Sequence, residues 1–260
     1  MLSAEQIKSN LEKFYSLVET HISDPRKKQL LELYDSQQEI LAFAPASSKA
    51  SFHNSFEGGY LDHVIRVTEC ALMLAKVWEV QGATTSTFTN EELVFSALNH
   101  DLGKLGLYGK PRYLPNDSEW HVKNQGANYK PNAELPFLPV QDNSLFILQQ
   151  AGIQLSLNEY IAIKIHDGLY DESNRAYLIS GQNESKLRSC LPMILHQADL
   201  MASRIEWEKE WLSKVGAPAK PREAKPATAA QFKQQADAKK LQSVSGAKTN
   251  TSLMNALKGL

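Results

Sequence analysis

Histidines and carboxylates recur in this chain where a helix would present them. His63 stands early. His100 and Asp101 are adjacent, with Gly103 and Lys104 just behind them. His166 follows, and His196 and Asp199 close the series. The last two are three residues apart, so one helix face can carry both. Imidazole and carboxylate together suit Zn, Mn, Fe or Ni, with Mg where carboxylate and water dominate. One or two divalent ions held this way polarise a phosphoryl oxygen and bring water towards hydroxide near neutral pH. Phosphoester hydrolysis needs that help, because its uncatalysed rate is among the slowest known. Alone, the pair at 100–101 reads as a helix end with a surface charge. The other histidines make it the candidate centre of a metal site.

The elements that must position these residues are legible as apolar periodicity. Ser3-Ala4-Glu5-Gln6 forms a capping box ahead of Ile7, Leu11, Phe14 and Val18. Asp24-Pro25 reads as N-cap and first-turn proline of a second helix that stops before Pro45. The two would form an antiparallel hairpin. A polar connector leads to a helix over about 60–80, with His63 in its first turn. Thr89-Asn90-Glu91-Glu92 caps a helix that ends at His100-Asp101, and Ser156-Leu157-Asn158-Glu159 caps one that ends at His166-Asp167-Gly168. Asp142 opens a short helix between them, running to Gln150. Residues 169–181 read as turns or a short hairpin. A long helix over about 185–211 carries His196 and Asp199, and Pro192 within it implies a kink or a late start.

The order His63, His100-Asp101, Asp199, all in helices, resembles the HD-domain metal-dependent phosphohydrolase superfamily. Gly58-Gly59-Tyr60-Leu61-Asp62-His63 resembles its Gly-Gly-Leu-Leu-Glu-His opening, and His100-Asp101-Leu102-Gly103-Lys104 its His-Asp-hydrophobic-Gly-Lys signature. Leu195-His196-Gln197-Ala198-Asp199 resembles its closing His-x-x-Asp. The pattern is nearest that of exonuclease-like HD proteins, including short phage forms, and covers roughly 52–211. The resemblance implies a helical fold with a first metal site of His63, His100, Asp101 and Asp199. Asp101 would bridge to a second ion. His166 and His196 match the added histidines of binuclear members, although many relatives have two adjacent histidines where this chain has Ile165-His166. Lys104 would face the phosphate and share the catalytic role with Asp101.

Regular periodicity is lost between Gly106 and Pro139. A loop of that length is more often functional than idle. Its Lys110, Arg112, His121, Lys123 and Tyr129 are candidates, with Lys104, for contacts to substrate phosphate or base. The alternative for these is a solvated lid. His53 either faces the site or is an ordinary loop histidine. Asp167 is read as a helix-end cap or a solvent-facing carboxylate.

Composition sets the remaining bounds. No apolar run approaches the ~20 residues of a membrane span, and the first residues lack the basic and apolar regions of a signal peptide. Cys70 and Cys190 are too few for a disulfide framework and fit no zinc pattern. A cytoplasmic setting is expected. Residues 213–260 hold nine Lys or Arg and two Asp or Glu, a charge of +7, against −8 for the rest. That segment reads as a disordered basic tail, with a weak helix over 229–241 and an apolar-spaced end at 251–260 that could dock on a protein partner.

The expected molecule is therefore all-α: a helical hairpin over 1–44, an HD domain over 45–212 and the tail over 213–260. The expected activity is metal-dependent hydrolysis of a phosphoester in a nucleotide or nucleic acid, by attack of metal-bound hydroxide. The rival is a non-catalytic metal-binding module that recruits a partner through its tail. A di-iron oxygenase is a third reading.

Overall fold

Four capping boxes or caps set the helix starts that matter most. In the computed structural model, which describes residues 2–215, the Ser3 box opens α1 (Ala4–His21). After it come α2 (Arg26–Asp35), α3 (Gln38–Phe43) and the long α4 (Gly59–Val80). The Thr89 box opens α5 (Asn90–Asn99), and Ser118 caps α6 (Glu119–Gln125). Helix α7 spans Val140–Gln150. The Ser156 box opens α8 (Leu157–Ile165). The short α9 (Arg175–Leu178) and the long α10 (Leu191–Val215) complete the set. The only sheet among the described residues pairs β1 (Tyr113–Pro115) antiparallel with β2 (Tyr129–Pro131), Leu114 opposite Lys130. The fold is all-α. The linker, weak helix and terminal peptide read in the tail lie outside the described residues.

Several boundaries differ from the sequence reading, each for a local reason. The expected second helix is two helices. Ser36 Oγ donates to the Leu33 carbonyl at 2.6 Å, and the Gln37 N–H bonds only three residues back, to Tyr34. A serine side chain competing for a helix carbonyl ends the α-pattern there. Pro25, not Asp24, takes the N-cap position of α2, with no side-chain cap bond. Helix α10 starts at Leu191, six residues later than expected from 185, so that Pro192 falls in its first turn, where a missing N–H costs nothing. The stretch 169–181 forms 3₁₀ turns and α9, with no hairpin. The long loop holds α6, closed by Gly126 in the left-handed region, and the three-residue strands, which are too short to show a period.

Two buried clusters hold the helices. In one, Phe14 and Val18 of α1 and Leu30 and Tyr34 of α2 pack against Leu61 and Val64 of α4, Phe95 and Leu98 of α5, and Leu148 of α7. The first three helices thus share their core with the rest. In the other, Val67 and Ala71 of α4, Leu93 and Ala97 of α5, Ala162 of α8, and Ile194, Leu195, Ala198 and Ala202 of α10 interlock. Alanines at the crossing let α10 lie close on α4. The ends of α5 and α8 and the middle of α10 then converge beside the start of α4. No helix among the described residues is long and apolar enough to cross a membrane.

Candidate metal centre

Helix α5 delivers the central pair. His100 is its C-cap, and the chain turns at once into a 3₁₀ segment over Leu102–Leu105. That turn is clamped from α7: Ser144 Oγ accepts from the Gly103 N–H at 2.8 Å and lies 3.0 Å from the His100 carbonyl. Asn143 Nδ2 donates to the Gly103 carbonyl at 2.9 Å. Gly103 is required by this approach, since a Cβ there would lie 2.1 Å from the Val140 carbonyl oxygen. On the other side the Tyr34 hydroxyl donates to Asn99 Oδ1 at 2.7 Å.

Four imidazoles are held from behind. His100 Nδ1 donates to the Ala97 carbonyl at 2.8 Å, His166 Nδ1 to that of Ile163 at 2.7 Å, and His196 Nδ1 to that of His166 at 2.7 Å. His63 Nδ1 donates to Glu206 Oε2 at 3.0 Å. Carbonyl and carboxylate oxygens only accept, so each ring must donate through Nδ1, which leaves Nε2 free to coordinate. Nε2 of His63 and of His100 is buried and makes no hydrogen bond. These atoms face carboxylates: His63 Nε2 lies 3.2 Å from Asp199 Oδ1 and 3.5 Å from Asp101 Oδ2. His100 Nε2 is 3.4 Å from Asp101 Oδ2, and His166 Nε2 is 3.6 Å from Asp101 Oδ1.

Four overlapping sets could each hold a metal ion: His53, His63 and Glu206; His63, His100 and Asp199; His100, Asp101 and His166; His166, Asp167 and Asp199. Buried Nε2 atoms without partners, anchored at Nδ1 and facing carboxylates, are the donor set a divalent transition metal needs. His196 falls outside these sets, although it lines the same cavity. Gly168, at φ +59°, presses against its ring, and a Cβ there would come within 2.2 Å of it.

Charge is concentrated here. Burial raises the Asp101 carboxyl, but Lys104 and His100 outweigh it and hold the group well below its ordinary range. Lys104 Nζ sits 2.5 Å from Asp101 Oδ2. Burial lowers His166, yet Asp167 and Asp101 win and raise it to about 9. Those carboxylates attract whatever cation is present, a proton or a metal.

The cluster floors an open cavity of about 430 Å³, walled by Phe52, His53, Lys104, Tyr170, Arg204 and Trp207 among others. The loop candidates lie elsewhere. Exposed Lys110 pairs with Glu134 at 2.7 Å, and His121 Nδ1 meets Ser118 Oγ at 2.6 Å. Lys123 is exposed on α6. Arg112 donates to the Leu138 carbonyl at 3.0 Å and, with Tyr129, lines a neighbouring cavity that Lys104 also borders. None of these five lines the cavity over the cluster.

Three site residues were not singled out as ligands or anchors by sequence reasoning. Glu206 is buried and bonds both His63 and Arg66 Nε, the latter at 3.0 Å. Its spacing of seven from Asp199, two turns along one helix, was the signal available. Asp167 stands at the N-cap of the 3₁₀ turn over 168–170 without a side-chain cap bond, its side chain 41% exposed, and it also joins the cluster. His53 stacks 4.4 Å from the His63 ring, and burial pushes it down to about 2, so it stays neutral. Comparison with protein-family models, curated proteins and solved structures finds no match.

Proposed function

We propose that the chain is an HD-type, divalent-metal-dependent phosphohydrolase acting on a phosphoester of a nucleotide or nucleic acid. The observation that carries this reading is the pair of buried, unpartnered Nε2 atoms of His63 and His100, facing Asp101 and Asp199 at the floor of an open cavity. Together with His166 these residues would hold the ion. Bound there, a divalent metal supplies Lewis-acid polarisation of the phosphoryl group and an activated water. Glu206 and the backbone carbonyls fix the imidazole rings, so the ligand set needs little rearrangement. Asp101, between His100 and His166, can address two ions. Lys104 places a cation directly beside Asp101, where phosphate charge would otherwise face that carboxylate.

The test is turnover of a mono- and diester nucleotide panel by the full chain loaded with Mn²⁺ or Ni²⁺. We expect hydrolysis that Asp101→Ala lowers by a factor on the order of 10³ or more, the scale of losing a principal electrostatic group. Metal binding without turnover of any phosphoester would instead favour a non-catalytic metal-binding module. Absence of metal affinity would overturn both.

A further inference from the structure

The cavity over the cluster has a neighbour of different character. Residues Leu169, Leu178, Ile179, Met193 and Leu200, with Tyr170 and His196, line a second cavity of about 390 Å³. Tyr170, His196 and Leu200 border both, so the two adjoin across the His196 ring. No Lys, Arg, Asp or Glu lines the second chamber. The first carries Lys104 and Arg204, and Arg204 Nη2 donates to the Tyr170 hydroxyl at 2.8 Å on the partition.

This division sorts the halves of a ligand. An anionic group belongs with the cations and the metal ligands, because a chamber without charged side chains cannot repay its desolvation. An uncharged organic group belongs in the apolar chamber, where burial of its surface is favourable. Small-molecule pockets run to roughly 300–1,000 Å³, so this cavity of about 390 Å³ has room for a ring system. Leu169 and Ile179 are each about half exposed (54% and 50%), apolar surface of the kind a ligand covers.

We propose that the Leu169–Ile179 chamber seats the uncharged, ring-bearing organic group of a single-phosphate substrate whose phosphate lies over the His-Asp cluster. This rests on the hydrolase reading and narrows it to small esters or terminal nucleotides.

The test compares binding of 1-naphthylphosphonate and methylphosphonate to the Mn²⁺-loaded full chain, which needs no turnover. The naphthyl compound should bind about tenfold tighter or more, as apolar burial of a ring predicts. Ile179→Glu and Leu169→Glu, both at half-exposed positions, should bring that ratio close to one. Thermal unfolding and Mn²⁺ affinity report that the variants are folded. Equal binding of the two phosphonates, failure of both to bind, or a ratio the substitutions leave intact would overturn the proposal. Cleavage of 1-naphthyl phosphate is measured alongside. Equal phosphonate binding with ester cleavage sinks the chamber and leaves the hydrolase. A chamber-dependent ratio without any ester cleavage sinks the hydrolase and leaves the chamber.

Discussion

Glu206 lies 143 residues from His63 in sequence and 3.0 Å from it in space. Its other oxygen accepts from Arg66, which also reaches Asp62 at 3.4 Å. The carboxylate thus sets the tautomer of His63 and makes its Nε2 more basic, without touching the cavity itself. Partners of this kind typically contribute 10–100-fold to metal affinity. Glu206→Ala should therefore weaken Mn²⁺ binding by about that factor, read by calorimetric titration, while the fold persists because Arg66 keeps Asp62. Glu206→Gln should lose less, since an amide oxygen still accepts from Nδ1. Unchanged affinity in the alanine variant would show that packing alone orients the His63 ring. At this scale the sequence was legible where residues adjoin, as at His100-Asp101, or share a helix turn, as at His196 and Asp199. It was opaque where the partner is distant. The spacing of Glu206 from Asp199 marks its helix face but not its partner, nothing local to His53 announces what it meets, and His196 fell on the right face yet outside the four ligand sets.

Helix termini carry the next level. Each central histidine is presented by a helix end, so the caps at the opposite ends govern how firmly it is held. In α5, Thr89 Oγ1 accepts from the Glu92 N–H at 3.1 Å and Glu92 Oε2 accepts from the Thr89 N–H at 2.7 Å. Glu92 Oε1 also accepts from Ser156 Oγ at 2.6 Å, which ties the start of α5 to the start of α8. The helices that present His100 and His166 are therefore registered at the ends remote from the cluster. Losing a threonine cap costs about 1 kcal/mol. Thr89→Ala should lower stability to urea by that amount and leave Mn²⁺ affinity unchanged once folded. A large loss of affinity at full folding would mean that the cap tunes the site and not only the helix. These boxes could be read directly from sequence because capping is a four-residue affair. The break at Ser36-Gln37, the late start of α10 and the β1–β2 pair could not. Each depends on a competing side-chain bond, a proline's place in a turn, or pairing between Leu114 and Lys130 across the intervening loop.

At the scale of the molecule, the cluster joins the same four helices that the second apolar core joins. His63 comes from the first turn of α4, His100 and Asp101 from the end of α5, His166 from the end of α8, and Asp199 from α10. Lys104 and the imidazoles around Asp101 and Asp199 keep both carboxyls charged. A divalent cation would compete for the same carboxylates, and it can bind only where all four helices are in place. Metal binding is then folding energy. At a free concentration about 100 times the dissociation constant, a single bound ion stabilises the native state by about 2.7 kcal/mol. For a chain of this size that raises the midpoint of thermal unfolding by roughly 5–10 °C. Mn²⁺ should produce such a rise in the full chain, and His63→Ala should abolish most of it, because one ligand and its Glu206 anchor are lost together. The comparison is between shifts, not absolute midpoints, so a variant less stable from the outset still reports. An equal Mn²⁺-induced rise in wild type and His63→Ala would place the ion elsewhere on the protein. The cluster would then be a buried charge network balanced by Lys104 and protonated imidazoles.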